Sequence, residues 1–258
     1  MKTGEESSRR KFLKQASLLG VSAITSPSEL DRVPDYTGEQ SGLGYRFLFQ
    51  GDSITDGNRT RDSDLNHVLG HGYAFLIAAK LGYQLPQKNF HFINRGVSGN
   101  QITDLAIRWP EDTIAIKPDL VSILIGVNDA MSDMSGNKSA TVLSFENDYR
   151  TLLTKTIREL PDVKLVICEP FLLPVGKIKD SPDRYMEAIG GRQAVARKIA
   201  EEFRAVYVPL QGRFTNTTKK YPPDSYWLWD GVHPMPNGHE LIALEWIHQV
   251  SRTLKFIG

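Results

Sequence analysis

Short apolar runs recur along the chain from residue 45 onward, and each is followed by a stretch with helical spacing. Five of these runs are rich in β-branched and aromatic residues, which is typical of strands buried on both faces of a sheet. We predict strands at 45–50, 90–94, 120–125, 163–168 and 205–210. The alternation of such strands with helices indicates a parallel sheet.

The stretches between these strands carry apolar residues three and four positions apart. We predict helices at 73–81, about 102–116, 145–160, 186–203 and 238–254. Gly82 is expected to end the first helix, and Pro110 is expected to break or kink the second. The predicted fold class is therefore α/β, a three-layer α/β/α sandwich whose ligands bind beyond the carboxyl ends of the strands.

The first 43 residues lack this alternation and have the layout of an export signal. Arg9 and Arg10 precede a weakly apolar stretch at 16–24, a pattern that resembles the bacterial twin-arginine signal. We predict an export signal at 1–27, a flexible linker at 28–43 and a folded domain at 44–258, which implies a periplasmic or secreted protein. The alternative is a basic first helix of the domain, but the prolines and glycines that follow disfavour it.

Composition excludes several classes of protein. The 258 residues include 31 Lys and Arg against 30 Asp and Glu, and a net charge of +1 argues against nucleic acid as the main partner. A single cysteine, Cys168, excludes an intramolecular disulfide and a cysteine-based zinc site. No apolar run approaches the roughly 20 residues that span a bilayer, so we expect no stable membrane anchor.

Residues whose side chains or backbone could take part in catalysis come directly after the predicted strands. The segment 51–55 follows the first strand and holds Ser53, which could be a nucleophile or an ordinary helix N-cap. The segments 94–100 and 126–129 follow the next two strands and are rich in Gly, Asn and Ser. Such residues can donate hydrogen bonds to an oxyanion, although they are also common in turns.

An acidic residue and a histidine lie three positions apart near the C-terminus, at Asp230 and His233. On a turn this spacing can place both side chains on one side, so that the carboxylate orients the imidazole. An Asp and a His at this spacing, taken by themselves, more often lie in an ordinary surface turn. The conjunction of all these groups at one edge of the predicted sheet favours an active site.

The order of these segments resembles the SGNH (GDSL-like) hydrolase superfamily. Its blocks I, II, III and V match residues 51–53, 98–100, 126–129 and 230–233. The resemblance implies a five-stranded, flavodoxin-like parallel sheet and ester hydrolysis with no metal and no cofactor. It also implies roles for individual residues: Ser53, Asp230 and His233 as the catalytic residues, and Ser53, Gly99 and Asn128 as oxyanion donors.

Within that superfamily, the sequence in and between the blocks resembles that of bacterial acetylxylan esterases and related carbohydrate acetylesterases. The likeness extends over 51–56, 94–100, 104–109, 117–122, 126–129 and 229–234. It implies an acylated carbohydrate as substrate and often a homo-oligomer. The candidate substrate-binding residues are Asp52, Asn100, Trp109 and Trp229; the aromatic residues of the 221–229 segment could stack on sugar rings or could cover the core.

Other interpretations remain open at this point. A lysophospholipase or thioesterase of the same superfamily would share every block, and a carbohydrate-binding protein without activity would not need both Ser53 and His233. A nucleotide-binding α/β protein would need a glycine-rich phosphate loop after the first strand, which the chain lacks. His67 and His71 lie four apart, a spacing found in metal sites, but without a third ligand we interpret them as loop residues or substrate contacts.

Overall fold

The computed structural model describes residues 44–62, 64–221 and 223–255. Within these residues a single sheet of five parallel strands runs through the molecule in the order β2-β1-β3-β4-β5. The strands are β1 (Arg46–Gly51), β2 (His91–Asn94), β3 (Leu120–Leu124), β4 (Lys164–Cys168) and β5 (Val206–Val208). This confirms the predicted parallel sheet and its flavodoxin-like order.

Helices connect the strands and cover both faces of the sheet. They are α1 (Ser53–Asp56), α2 (Tyr73–Gln84), α3 (Ile102–Trp109), α4 (Val127–Met134), α5 (Val142–Glu159), α6 (Pro182–Glu202), α7 (Leu210–Thr218) and α8 (Pro236–Thr253). Short 3₁₀ turns lie at Pro86–Lys88, Gly176–Asp180 and Asp224–Tyr226, and a single π turn at Pro110–Ile114.

Each face of the sheet has its own hydrophobic core, because successive side chains of a strand point to opposite faces. Phe47 and Phe49 of β1 belong to one core, with Trp246 of α8 and the buried side of α2. Leu48 lies between them in sequence and belongs to the other core, which α3, α5 and α6 cover. The predicted three-layer sandwich is therefore confirmed.

The order of the strands determines where a ligand can bind. The chain runs outward from β1 to β2 and then returns to place β3 on the other side of β1. In open parallel sheets a crevice forms at the carboxyl ends of the two strands where the order reverses. Here those ends are followed by Ser53 and Asn128, so the fold brings two of the candidate residues to one crevice.

The prediction that Gly82 ends the first helix is wrong. Helix α2 continues through Gly82 to Gln84 and stops at Leu85, whose φ of −130° and ψ of 49° are not helical. Pro86 explains this end, since the residue before a proline is disfavoured in the α conformation. A Cβ at Gly82 would meet nothing within 4 Å, so this glycine occupies an open position on the helix surface.

The prediction that Pro110 interrupts the second helix is confirmed. Helix α3 ends at Trp109, and the chain continues in a wider π turn in which the Ala115 N–H donates to the Pro110 carbonyl at 2.9 Å. Proline lacks the N–H that would continue the α-helical ladder, and its ring crowds the preceding turn.

Three helices of this structure, α1, α4 and α7, are not among those predicted from the sequence. They have four, eight and nine residues, and such short segments give little periodic signal. Each begins within three residues of the end of a strand, and residues 127–129 of the Gly- and Asn-rich segment 126–129 form the start of α4. The predicted export signal at 1–27 and linker at 28–43 lie outside the described residues.

Candidate active site

Ser53 lies on a tight turn between β1 and α1, at the carboxyl edge of the sheet. Gly51 is required there because a Cβ would come within 2.3 Å of the Leu124 carbonyl oxygen on β3. The Asp52 carboxylate then accepts the Ile54 N–H at 3.0 Å and caps the new helix. Ser53 is the first helical residue and, unlike Asp52 and Ile54 beside it, is only partly buried.

Ser53, His233 and Asp230 form one chain of hydrogen bonds, although the serine is 180 residues from the histidine. The Ser53 Oγ lies 2.8 Å from His233 Nε2, and His233 Nδ1 lies 2.7 Å from Asp230 Oδ2. A carboxylate on Nδ1 favours the tautomer that carries its proton there and leaves Nε2 free to accept the serine proton. The structure thus brings together the three residues that the sequence singles out.

Asp230 is held in its charged form. Partial burial raises its pKa, but hydrogen bonds more than offset this effect: the backbone N–H of His233 at 2.8 Å, the His233 ring, and the backbone N–H of Val232 at 2.9 Å. The net result is a pKa below the ordinary value for aspartate. The carboxylate is therefore ionised at neutral pH, when it can stabilise a protonated imidazole.

The turn that carries Asp230 and His233 is closed by backbone contacts. The Trp229 N–H donates to the His233 carbonyl at 3.1 Å, and an antiparallel bridge joins Leu228 to Pro234. Gly231 has φ of 92°, and a Cβ there would lie 2.6 Å from the Val175 carbonyl oxygen. The position accepts only glycine without strain, which fixes the geometry of the Asp-Gly-Val-His turn.

Asn128 is the second residue of α4 and reaches toward the 94–100 loop. Its Nδ2 donates to the Asn100 carbonyl oxygen at 3.0 Å. A side-chain amide has two N–H donors, so this bond orients the group and leaves a second donor for a ligand. Gly99 precedes Asn100 with φ of 83°, in an exposed part of the loop.

Arg108 of α3 connects this loop to the strand below it. Its guanidinium donates to Asn100 Oδ1 at 2.8 Å, to Gln50 Oε1 at 2.7 Å and to the Gly51 carbonyl oxygen at 3.3 Å. Asp112 accepts a further bond at 3.0 Å. The backbone that carries Gly99 is thereby tied to the backbone that carries Ser53. Sequence reasoning missed Arg108, because its partners Gln50 and Gly51 lie 58 and 57 residues away along the chain.

Asp56 provides a second tie between the same two segments. Its Oδ2 accepts both the N–H and the hydroxyl of Ser98 at 3.1 Å, and Arg61 pairs with the same carboxylate. Burial raises the pKa of Asp56, but the bonds from Arg61 and Ser98 leave it below the ordinary value. Asn94, at the end of β2, adds a donor to the Thr55 carbonyl at 2.7 Å. The three loops of the site therefore hold one another in place.

Asp129, next to Asn128, is a buried acid with a positioning role. Its Oδ1 accepts the Ile102 N–H at the start of α3 at 3.1 Å, and the side chain is 2% exposed. Burial raises its pKa to about 6, although the bond from Ile102 acts in the opposite direction. The pKa of Asp52 is likewise raised, to about 7, mainly by burial and further by the negative charge of Asp129.

Two of the predicted substrate-binding residues lie in the interior, and these predictions are corrected. Trp109 is 0% exposed and its indole N–H donates to Thr156 on α5, since α3 buries the face that Ile102, Leu105 and Trp109 share. Asp52 is 1% exposed and serves as the helix cap. Neither can contact a substrate.

The other two candidates lie at the site. Trp229 is 62% exposed, and its ring stacks on His233 with 6.0 Å between centroids and 24° between planes. Asn100 is half-buried, with its side-chain oxygen bonded to Arg108 and its carbonyl to Asn128. Of the two loop histidines, His67 is exposed and bonds to Asp64, which agrees with an ordinary loop role.

His239 at the start of α8 is a further buried group near the site. It is 6% exposed, and its Nδ1 accepts the Tyr73 N–H at 3.2 Å, which joins α8 to α2. Burial lowers its pKa from 6.5 to about 4, with smaller contributions from His71 and His233. The ring is therefore neutral in the folded protein at neutral pH.

This group should make the fold sensitive to acid. As the pH falls, the unfolded chain takes up a proton near 6.5, whereas the folded protein resists until about 4. The free energy of unfolding keeps the full contribution of neutral His239 above pH 6.5 and loses about 3 kcal/mol of it between pH 6.5 and 4. A His239→Gln variant, measured by urea unfolding across this range, should lose less stability than the wild type.

His248→Gln is the matched control, because His248 is exposed on the same helix. Its unfolding free energy should follow the wild-type pH dependence. A constant difference between His239→Gln and the wild type from pH 6.5 to 4 would contradict the interpretation.

In the part of the chain that the structure describes, no helix is both long and apolar enough to cross a membrane. Nor do the His, Cys, Asp and Glu side chains of that part form any group of three or more arranged to hold a metal ion.

Comparisons with known proteins agree with this geometry. The family model for GDSL-like lipases and acylhydrolases matches residues 49–241. An acetylxylan esterase of Geobacillus stearothermophilus is 35% identical over 215 residues, which cover 81% of this chain and 95% of that protein. Its crystal structure superposes with a TM-score of 0.68 at 34% identity, over 81% of this chain and 95% of that one.

A second solved structure is similar over the same extent. A protein of Parabacteroides merdae, described as a GDSL-like lipase, superposes with a TM-score of 0.77 at 37% identity, over 81% of this chain and 96% of the other. The family match covers the four segments that build the site (51–56, 94–100, 126–129 and 230–233), and the 35% identity extends over most of the chain. The chain therefore belongs to the GDSL-like lipase/acylhydrolase family and is a carboxylic ester hydrolase.

Proposed function

We propose that this hydrolase removes acetyl and other short acyl groups from carbohydrate esters, through an acyl-enzyme intermediate on Ser53. The observation that carries the proposal is the hydrogen-bonded chain of Ser53, His233 and Asp230 beside an exposed tryptophan. The likeness to an acetylxylan esterase over most of both chains supports the choice of substrate.

In the first half of the reaction, Ser53 Oγ attacks the ester carbonyl carbon and His233 Nε2 takes the serine proton. The 2.8 Å separation of these atoms is within the range that direct proton transfer requires. The tetrahedral oxyanion would accept the backbone N–H groups of Ser53 and Gly99 and the free N–H of Asn128. The C–O bond to the sugar then breaks, and His233 returns the proton to the leaving sugar oxygen.

In the second half, water attacks the acyl-serine. His233 takes a proton from that water, the oxyanion forms again in the same place, and the proton returns to Ser53 Oγ as acetate leaves. Asp230 stays ionised throughout and stabilises the imidazolium in both halves. Every proton that moves is accounted for by these side chains, water and the ester.

Trp229 is the candidate for binding the sugar. Its indole is exposed beside His233, the residue that would protonate the leaving sugar hydroxyl. The apolar face of a pyranose ring stacks well on an aromatic ring. A xylose unit packed against Trp229 would therefore carry its acyl group close to Ser53.

The substrate class is tested by comparing p-nitrophenyl acetate, p-nitrophenyl octanoate and acetylated xylo-oligosaccharides. We expect rapid acetate release from the sugar ester and little hydrolysis of octanoate. A Trp229→Ala variant should lose about five- to tenfold in kcat/KM on the sugar ester, with less than about a twofold loss on p-nitrophenyl acetate. Tyr83→Ala, which removes an exposed aromatic ring of α2, is the control and should match the wild type.

The outcomes separate the alternatives. A preference for octanoate would identify a lipid or thioester hydrolase of the same family. Activity on none of these esters would favour a binding protein. Equal losses of Trp229→Ala on both acetates would mean that Trp229 supports the His233 ring and does not bind the sugar.

We also propose that residues 1–27 direct export by the twin-arginine route, on the basis of Arg9, Arg10 and the apolar stretch that follows. Changing both arginines to lysine should leave the esterase in the cytoplasmic fraction. Unchanged activity in the periplasm or medium would contradict the proposal.

A further inference from the structure

A cavity of about 350 Å³ lies beside the segment that leads to the catalytic turn. Arg213, Asn216 and Lys220, on or just after α7, form one wall. Thr217, Tyr221, Trp227 and Leu241 of α8 are its other lining residues. Its volume is in the range of sites for small organic ligands. None of these side chains takes part in the proposed chemistry.

Two cationic side chains, Arg213 and Lys220, line this cavity, and the Glu245 carboxylate lies beside the first of them. Lys220 is exposed and forms no salt bridge with a described carboxylate. Arg213 is half-exposed and lies 3.5 Å from Glu245 through one of its three guanidinium nitrogens. A guanidinium presents five N–H donors, so most of the Arg213 donors remain for a ligand. A carboxylate is an anionic group that such a pair of cations can bind through charge-assisted hydrogen bonds.

The remaining lining suits a sugar ring. Tyr221 is 64% exposed, and Trp227 packs edge-on against Tyr226 with 5.2 Å between ring centroids. Aromatic faces provide the apolar surface on which sugar rings stack, and Asn216 adds an amide that can bond to hydroxyl groups. Aromatic, amide and cationic groups together match a sugar that also carries a negative charge.

The cavity and the catalytic turn share one short segment of chain. The Trp227 carbonyl accepts the Met235 N–H at 2.8 Å, and two residues later the Trp229 N–H bonds to the His233 carbonyl. Trp227 thus lines the cavity, while Trp229 lies against His233. A ligand several sugar units long could occupy the cavity and extend toward Ser53.

We propose that this cavity is a secondary binding site for an oligosaccharide that carries a uronic acid, with Lys220 and Arg213 pairing with its carboxylate. The choice of a xylose backbone rests on the proposed function, whereas the recognition of the carboxylate rests on the cavity alone. Such a site would direct the esterase toward acidic regions of a polysaccharide.

The test measures binding of two unacetylated oligosaccharides to the full chain by titration calorimetry. One is neutral xylotetraose, and the other is xylotetraose with a glucuronic acid branch. Neither carries an ester, so binding is measured without turnover. We expect the acidic oligosaccharide to bind about tenfold more tightly at low salt, and this preference should shrink as salt is raised.

Lys220→Met should remove most of that preference and leave the affinity for xylotetraose unchanged. Lys164→Met removes an exposed lysine at the first residue of β4 and serves as the matched control. This residue lies at the amino-terminal ends of the strands, opposite to the carboxyl ends that carry the candidate active site. Hydrolysis of p-nitrophenyl acetate should be the same in all three proteins. Equal affinity for the two oligosaccharides, or an unchanged preference in Lys220→Met, would overturn the proposal.

The binding test of the secondary site and the activity test of the proposed function can fail independently. Acetate release from sugar esters without a preference for the acidic oligosaccharide would refute the secondary site alone. Tight binding of the acidic oligosaccharide by a protein that deacetylates no sugar ester would refute the proposed function and leave the site standing.

Discussion

Replacing Ser53 with alanine is expected to lower kcat for ester hydrolysis by about 10⁴-fold or more. Under the proposed mechanism the variant loses the nucleophilic hydroxyl, which lies 2.8 Å from the base that would activate it. Only one part-buried side-chain hydrogen bond disappears, at a cost of about 1 kcal/mol of stability. The thermal midpoint and the circular dichroism spectrum should therefore change little.

The activity is measured on p-nitrophenyl acetate and on acetylated xylo-oligosaccharides, with labelling by a fluorophosphonate as an independent readout. The wild type should be labelled on Ser53 and the variant should not. Ser135→Ala, which removes the hydroxyl of an exposed serine after α4, is the control and should retain full activity and labelling. Residual turnover above roughly a tenth of the wild-type value in Ser53→Ala would show that another group is the nucleophile.

Replacing Asn128 with alanine is expected to lower kcat roughly a hundredfold or more, with little change in KM. The loss of one oxyanion donor typically raises the barrier by about 3 kcal/mol. The effect should appear in kcat, because the charge on the carbonyl oxygen develops in the transition state and is small in the bound ester. Steady-state kinetics on p-nitrophenyl acetate give both constants.

Asn128→Asp sharpens this test, since aspartate keeps the shape of the side chain and replaces its N–H donors with oxygens. It should be at least as damaging as alanine. Asn137→Ala, which removes an exposed amide bonded to Ser132, is the matched control and should leave both constants unchanged. A change confined to KM would assign Asn128 to substrate binding and not to the oxyanion.

Both predictions depend on loops that hydrogen bonds join to one another without a ligand. Arg108 joins the backbone of Gly51 to Asn100, and Asn100 in turn orients Asn128. Asp56 joins the helix of Ser53 to Ser98. Preorganised donors of this kind do not need to reorient when the oxyanion forms, which is the main source of their catalytic effect.

The sheet was predictable from the sequence because its signal is local. The central strand β3, at 120–124, is a short run of mostly apolar residues buried on both faces, and its burial requires a helix on either side. The same logic places Ser53 and Asn128 at the carboxyl edge, since both directly follow such a run. The hydrogen bonds among Ser53, His233 and Asp230 agree with the roles that the resemblance to SGNH hydrolases implied.

The sequence could not tell which face of an element a given side chain occupies relative to the rest of the molecule. Trp109 and Trp229 are both aromatic and both near motif residues, yet one is in the core and the other is exposed. The difference arises because α3 packs against α5, whereas Trp229 lies on a surface turn. Packing partners distant in sequence determine this choice, and no local pattern records them.

The apolar runs, the order of the motif segments and the Asp-Gly-Val-His turn are local properties, and they predicted the fold class and the candidate residues of the active site. Tertiary structure alone decided which ties hold the loops of that site, which candidates are buried, and where a cationic cavity opens beside the catalytic turn. Many of these features depend on contacts between residues tens of positions apart, up to the 180 that separate His233 from Ser53; Arg108 with Gln50 is another example. Such contacts exist only once the chain has folded, because the packing of helices on the sheet brings their partners together.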